Sequence, residues 1–233
     1  MKAYYALGST IRYYARLPHS IEEVAVGDAA GTCDLRGLLE TDVVDVTRRW
    51  KESPSVVLAN LDVASIPAVR TFLNRYGPLT GPSLQMPEAG TGRPRFYENL
   101  AKLTSFRDSL RRAWGNDADA IRELSGLVSY RSEVLIEGRL RVPAHGSDSI
   151  VVENSQIVAV VEPLKRFIVL LLLRDLQQGR AAVCQSPDCP APYFLRERKG
   201  QQFCTHKCAV LVNVRKFREA QRKQKYSMRR KKR

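Results

Sequence analysis

The chain has 233 residues, 44% of them hydrophobic, and a formal net charge of +14 at pH 7. That length suits a folded domain of ordinary size with a small appended module, and the apolar share is that of a folded, soluble protein. The longest unbroken apolar run, 167–173, lies between Arg166 and Arg174 and falls far short of the roughly 20 residues a membrane span needs. Residues 1–14 are broken by Arg12 and several tyrosines and carry no secretory signal, so a reducing, cytoplasmic setting is expected.

Residues 1–17, rich in Tyr, Ile and Thr with a break at Gly8-Ser9, predict one or two strands. Turn signals follow at Gly27-Asp28 and Gly31. Thr41 or Asp42 then caps a predicted helix that sets Val43, Val46 and Trp50 on one face, and Val56–Leu58 is a short apolar run of undecided type. Asp62 is the predicted cap of a helix over 63–76, where Ile66, Val69, Leu73 and Tyr76 recur at three and four, provided that Pro67 lies in its first turn. Residues 77–94 hold four Gly and four Pro, which predicts a long loop. Its Gly-Thr-Gly at 90–92 lacks the Gly-Lys and the preceding strand of a phosphate loop.

Phe96, Leu100, Leu103, Leu110 and Trp114 mark one face of an amphipathic helix ended by Gly115-Asn116. Asp117 or Asp119 starts a second helix carrying Ile121, Leu124 and Val128, and these acids suit a helix N-terminus better than a catalytic carboxylate pair. Val134, Ile136, Leu140 and Val142 alternate with charged residues as a half-buried strand, and 149–161 reads as a strand pair around Asn154-Ser155. Pro163 opens a helix that Gly179 stops; apolar on all sides at 167–173, it should be the most buried helix of the core. With three histidines and no G-x-S-x-G, no catalytic residue is assigned, and the chain reads as a non-enzyme. The fold class expected is α+β, with an N-terminal domain over 1–178, a four-cysteine module over 179–218 and a basic tail over 219–233.

Four of the five cysteines, Cys184, Cys189, Cys204 and Cys208, follow the spacing C-x4-C-x14-C-x3-C. Two tight cysteine turns separated by a loop supply four thiolates to one tetrahedral Zn²⁺, so one structural zinc per chain is expected. Four thiolates leave no open position for water or substrate. The same spacing also admits two disulfides in an oxidising compartment, and His206 is a competing ligand. Cys33 reads as an ordinary small residue near a turn.

The charge is concentrated beside these cysteines. From Gln178 onward sixteen Lys and Arg face three acidic residues, leaving 22 basic and 21 acidic residues in the preceding 177. Val210, Val214 and Phe217, at i, i+4 and i+7, are expected to pack one helix face onto the zinc module. The remaining faces carry Arg215, Lys216, Arg218, Arg222 and Lys223, followed by Arg229 and Arg230, while Arg196, Arg198 and Lys199 lie in the module's own loop. These ten residues are the expected nucleic-acid contacts. Phosphate contacts carry no base information; DNA is placed ahead of RNA. The alternative is a protein-interaction module with a purely structural zinc knot, and partner contacts or self-association are expected of the N-terminal domain.

Around the cysteines the sequence resembles the CGNR-type zinc-finger proteins of bacteria. Cys184, Cys189, Cys204 and Cys208 match the four ligands, Phe194 the aromatic between the pairs and Phe203 the aromatic before the third cysteine. The run from Leu164 to Cys184 is similar to the lead-in of that finger, and 72–79 to a segment of related bacterial proteins. The resemblance implies a regulator of transcription. In place of the Gly-Asn-Arg that names the family stands Ala209-Val210-Leu211, so no role of that Asn and Arg carries over.

Overall fold

The computed structural model describes residues 10–12, 14–15, 18–25, 33–38, 44–45, 50, 52–79, 95–128, 149–153, 156–160 and 164–231. The chain divides into two compact units, Met1–Arg174 and Asp175–Arg233. Among the described residues there are six helices and several small, mostly antiparallel sheets, an α+β architecture. No helix among them is long and apolar enough to cross a membrane.

The first unit begins with β1 (Thr10–Arg12), β2 (Tyr14–Ala15), β3 (Glu22–Ala25), β4 (Cys33–Leu38) and β5 (Val44–Asp45). Val44 and Asp45 pair antiparallel with β2 and are not helical, contrary to the periodicity of Val43, Val46 and Trp50. The β-branched residues clustered at 43–47 are stiff at χ1 and suit a pleated strand better than a helix. Helices α1 (Pro54–Asn60) and α2 (Ile66–Tyr76) follow, and α1 settles the undecided run at 56–58. Ser65, not Asp62, caps α2, accepting from Ala68 N; Asp62 instead closes a turn on Ala64 N at 3.1 Å. Pro67 therefore lies in the first turn, where its missing N–H costs nothing.

Strand β6 (Arg95–Glu98) joins β3 and β4 in an antiparallel sheet of order β3-β4-β6. Phe96, expected on a helix, belongs to this strand, opposite Gly37. The helix cannot reach back to it, because the Asn99 side chain accepts from Lys102 N at 2.8 Å and starts α3 (Leu100–Trp114). Gly37 is required here: a Cβ would run into the Ser20 carbonyl and lie 2.9 Å from the Phe96 ring. In the next helix, α4 (Ala118–Val128), Asp117 Oδ1 accepts from Ala120 N and Asp119 N. These bonds, that to Ala120 foremost, hold the Asp117 carboxyl below its usual value.

Strands β7 (Ser149–Glu153) and β8 (Gln156–Val160) form the expected antiparallel pair, and β1 adds to β8 in parallel. Helix α5 (Leu164–Gln177) has Leu164, Phe167, Ile168, Val169 and Leu172 fully buried, and Gly179, at φ 65°, follows its end. The Phe167 and Tyr76 rings lie 5.4 and 5.3 Å from Trp50. The division between the units falls within α5, before Asp175. The turns at Gly27-Asp28 and Gly31, the strand over 134–142 and most of the loop at 77–94 lie outside the described residues.

In the second unit β9 (Ala181–Val183) and β10 (Tyr193–Leu195) pair antiparallel with Ala182 opposite Phe194. One helix, α6 (His206–Lys231), then runs unbroken across residues 218 and 219. Val210, Val214 and Phe217 do not pack on the module but are exposed. Cys208 fixes the phase of the helix: at 100° per residue Val212 and Arg215 fall on the cysteine side, and 210, 214 and 217 fall opposite.

Buried Asp34 ties β4 to the start of α3. It accepts from Asn99 Nδ2 and Leu100 N, each at 2.9 Å, and from the Tyr97 hydroxyl. That phenol is held above its usual pKa, chiefly by the same bond. Replacing Asp34 by Ala strands these donors and should cost about 2–4 kcal/mol, read as a lower denaturant midpoint. An unchanged midpoint would contradict the role assigned to this carboxylate.

Candidate metal centre

The cysteines come together because of where the hairpin and the helix begin and end. Cys184 follows β9 directly, and its N–H donates to the Pro192 carbonyl at 2.7 Å. The short turn back to the second strand is closed by Cys189 N donating to Ser186 O at 3.1 Å. The first two cysteines thus flank one knuckle in the loop that joins the two strands of the hairpin. Cys204 stands just before α6 and Cys208 in its first turn. Thr205 caps that turn, its hydroxyl accepting from Cys208 N at 3.4 Å.

All four sulfurs lie within 4.8 Å of one another. Cys189 Sγ is 3.5 Å from Cys204 Sγ, Cys204 Sγ 3.6 Å from Cys208 Sγ, and Cys208 Sγ 3.8 Å from Cys189 Sγ. Four thiolates about 2.3 Å from one tetrahedral ion stand about 3.8 Å apart, so these spacings fit a metal. They are too long for S–S bonds, and all four cysteines are free, which removes the disulfide reading for this arrangement. His206 opens α6 with an exposed side chain and is not among the clustered residues.

Around the sulfurs the apolar support is thin. Ala182, Phe194 and the buried sides of Cys184 and Cys208 form the cluster, with Phe203 packed against it. A buried Phe contributes about 1.5–3 kcal/mol, whereas a structural zinc contributes apparent values of about 10–16 kcal/mol. A bound ion would therefore dominate the stability of this unit.

The thiol electrostatics point the same way. Burial pushes Cys189 upward and pushes Cys204 up to about 12, with hydrogen bonding to neighbouring thiols adding to the shift at Cys204. A hydrogen bond with the Thr205 side chain pulls Cys208 down. Without a cation Cys189 and Cys204 hold their protons more tightly than free thiols; a divalent ion would reverse that balance by binding the thiolates.

The cations expected to meet nucleic acid divide into two groups. Arg196 donates from Nε to Gln201 O at 3.2 Å and from Nη1 to Gly179 O at 3.1 Å, bracing the loop between the cysteine pairs. Arg215 is ion-paired with Asp188 in the first knuckle, which links the helix to the metal turn. Arg198, Lys199, Lys216, Arg218, Arg222 and Lys223 are exposed. Arg229 and Arg230 continue α6, though their side chains lie outside the description. Thr205 and Gln201 were not singled out from the sequence; a Thr three residues before Cys208 is nonetheless a readable N-cap signal.

In comparisons with known protein families, curated proteins and solved structures, no match to the chain was found. The centre is accordingly defined by its own geometry.

Because metal uptake must displace at least the Cys204 proton, apparent affinity for zinc should rise with pH by about tenfold or more per unit between pH 6 and 8. A competition titration with a chromophoric chelator measures this. A flat profile would mean that thiolates are not the ligands.

Proposed function

We propose that the chain is a zinc protein in which a closed four-thiolate module presents α6 to nucleic acid, in the role of a transcription regulator. The supporting observation is the placement of Cys208 in the first turn of a helix that holds ten Lys and Arg against one acid, Glu219. A ligand in the first turn anchors the helix to the module, so its cations are carried on a preorganised scaffold rather than a loose tail. The resemblance of the cysteine spacing to CGNR-type zinc fingers supports the same reading, with DNA ahead of RNA. Zinc is the preferred ion because an all-sulfur tetrahedral set suits it, and a filled coordination sphere fits a structural, non-catalytic role. Four free thiols suit a reducing compartment such as the cytoplasm.

The phosphate contacts are assigned to Arg198, Lys199, Lys216, Arg218, Arg222 and Lys223, continued by Arg229 and Arg230 along the helix. Arg196 and Arg215 act instead by holding the loop and the helix to the module. A second reading, a protein-interaction module, draws support from the exposed apolar residues of α6.

Salt-titrated binding of the zinc-loaded chain to duplex DNA tests the proposal. Replacing Lys216, Arg218, Arg222 and Lys223 together with Ala should weaken binding and flatten the slope of log K against log salt by about 3 or more. Removing residues 219–233 should do the same, whereas Arg196→Ala should leave the slope nearly intact and lower the stability of the module. No binding at about 50 mM salt, where such contacts are strongest, would favour the interaction module.

A further inference from the structure

The residues of α6 that face away from the cysteines are unusual for so basic a helix. Val210, Val214 and Phe217 are 42, 41 and 64% exposed, and Leu211, beside this face, 54%. Val210, Val214 and Phe217 continue at alternating steps of four and three to Gln221, Gln224 and Met228. These six residues make one seam along the helix, at the a and d positions of a heptad repeat. Ten of the 26 residues of α6 are Lys or Arg, yet none falls on this seam from 210 to 228. Arg215, Lys216, Arg222 and Lys223 occupy b and c, away from it.

We propose that α6 pairs with the α6 of a second copy of this chain as a parallel two-helix coiled coil, through the seam Val210 to Met228. The flanking columns select both the partner and the direction. The g positions are Asn213, Ala220 and Ser227, and the e positions are Leu211, Arg218 and Lys225. In a parallel pair each g residue meets the e residue of the other helix five positions on, so Asn213 faces Arg218 and Ala220 faces Lys225, and no cation meets a cation. An antiparallel pair sets e against e and brings the Arg218 and Lys225 columns together. A partner helix with charged residues on both flanks would leave the uncharged g column without use. Valine at d and a, with Phe217 at d, supplies the apolar contact, and Gln221 and Gln224 specify the register at some cost in stability. The helix is about 39 Å long, and the seam from 210 to 228 covers nearly three heptads of it. The pairing goes beyond the nucleic-acid reading and does not need it, although a dimer would set two basic helices side by side with their b and c columns outward.

Sedimentation of the zinc-loaded full-length chain, without nucleic acid, tests this at about 1–100 µM protein and about 0.1 M salt. A monomer–dimer equilibrium is expected, strengthened by added salt because the two helices carry like charge; nucleic-acid binding would weaken under the same change. Phe217→Lys should weaken the dimer by about tenfold or more, and Ala220→Glu should tighten it by about two- to fivefold by pairing with Lys225 of the other copy. Both positions are exposed, so zinc content and helicity should be unchanged in the variants. A chain that stays monomeric throughout, or a dimer indifferent to Phe217→Lys, would overturn the proposal. Weakening, or no effect, with Ala220→Glu would overturn the parallel arrangement. A monomer that still binds DNA would sink the pairing alone and leave the proposed function standing.

Discussion

The second unit depends on four sulfur atoms drawn to within 4.8 Å of one another. Its apolar core is small for a hairpin and a 26-residue helix, so an ion held by the four sulfurs would be the main link between them. The knuckle after β9 provides two of the sulfurs and the entry to α6 provides two. Once Cys208 sits in the first helical turn, the phase of the whole helix is set. From that phase follow the pairing of Arg215 with Asp188 and the exposure of Val210, Val214 and Phe217.

The first unit solves a different problem. Its strands are short, and it compensates with buried side chains that tie segments together: Asp34 holds β4 to α3, and buried Glu98 accepts from Leu79 N at 2.8 Å. Each carboxylate takes N–H groups that would otherwise be stranded in an apolar setting. Helix α5 gives this unit a buried apolar face to pack on, with Trp50 against Phe167 and Tyr76 against Trp50.

The cysteine cluster was legible in the sequence because ligand spacing is a local property: C-x4-C and C-x3-C each fit a single turn. Helices α2 to α5 were legible from apolar periodicity and from Asp117 and Gly179 at their ends. Phe96 was misplaced because it stands four residues before Leu100, so a strand residue covering the same core mimics helical spacing. Val44 and Asp45 were misplaced because Val43, Val46 and Trp50 recur at three and four, whereas the decisive interaction is with Tyr14 and Ala15, some thirty residues away. The error over Val210, Val214 and Phe217 has another cause. An apolar stripe shows that a face wants a partner and does not say which; only the angular position of Cys208 shows that the cysteine cluster is on the other side.

The centre of the account is a single ion bound by sulfur alone, and zinc K-edge X-ray absorption of the purified full-length chain addresses it directly. The account predicts about one zinc per chain, with four sulfur scatterers at about 2.3 Å and no nitrogen or oxygen in the first shell. A first shell containing nitrogen or oxygen at about 2.0–2.1 Å, or a chain that retains no zinc, would contradict it.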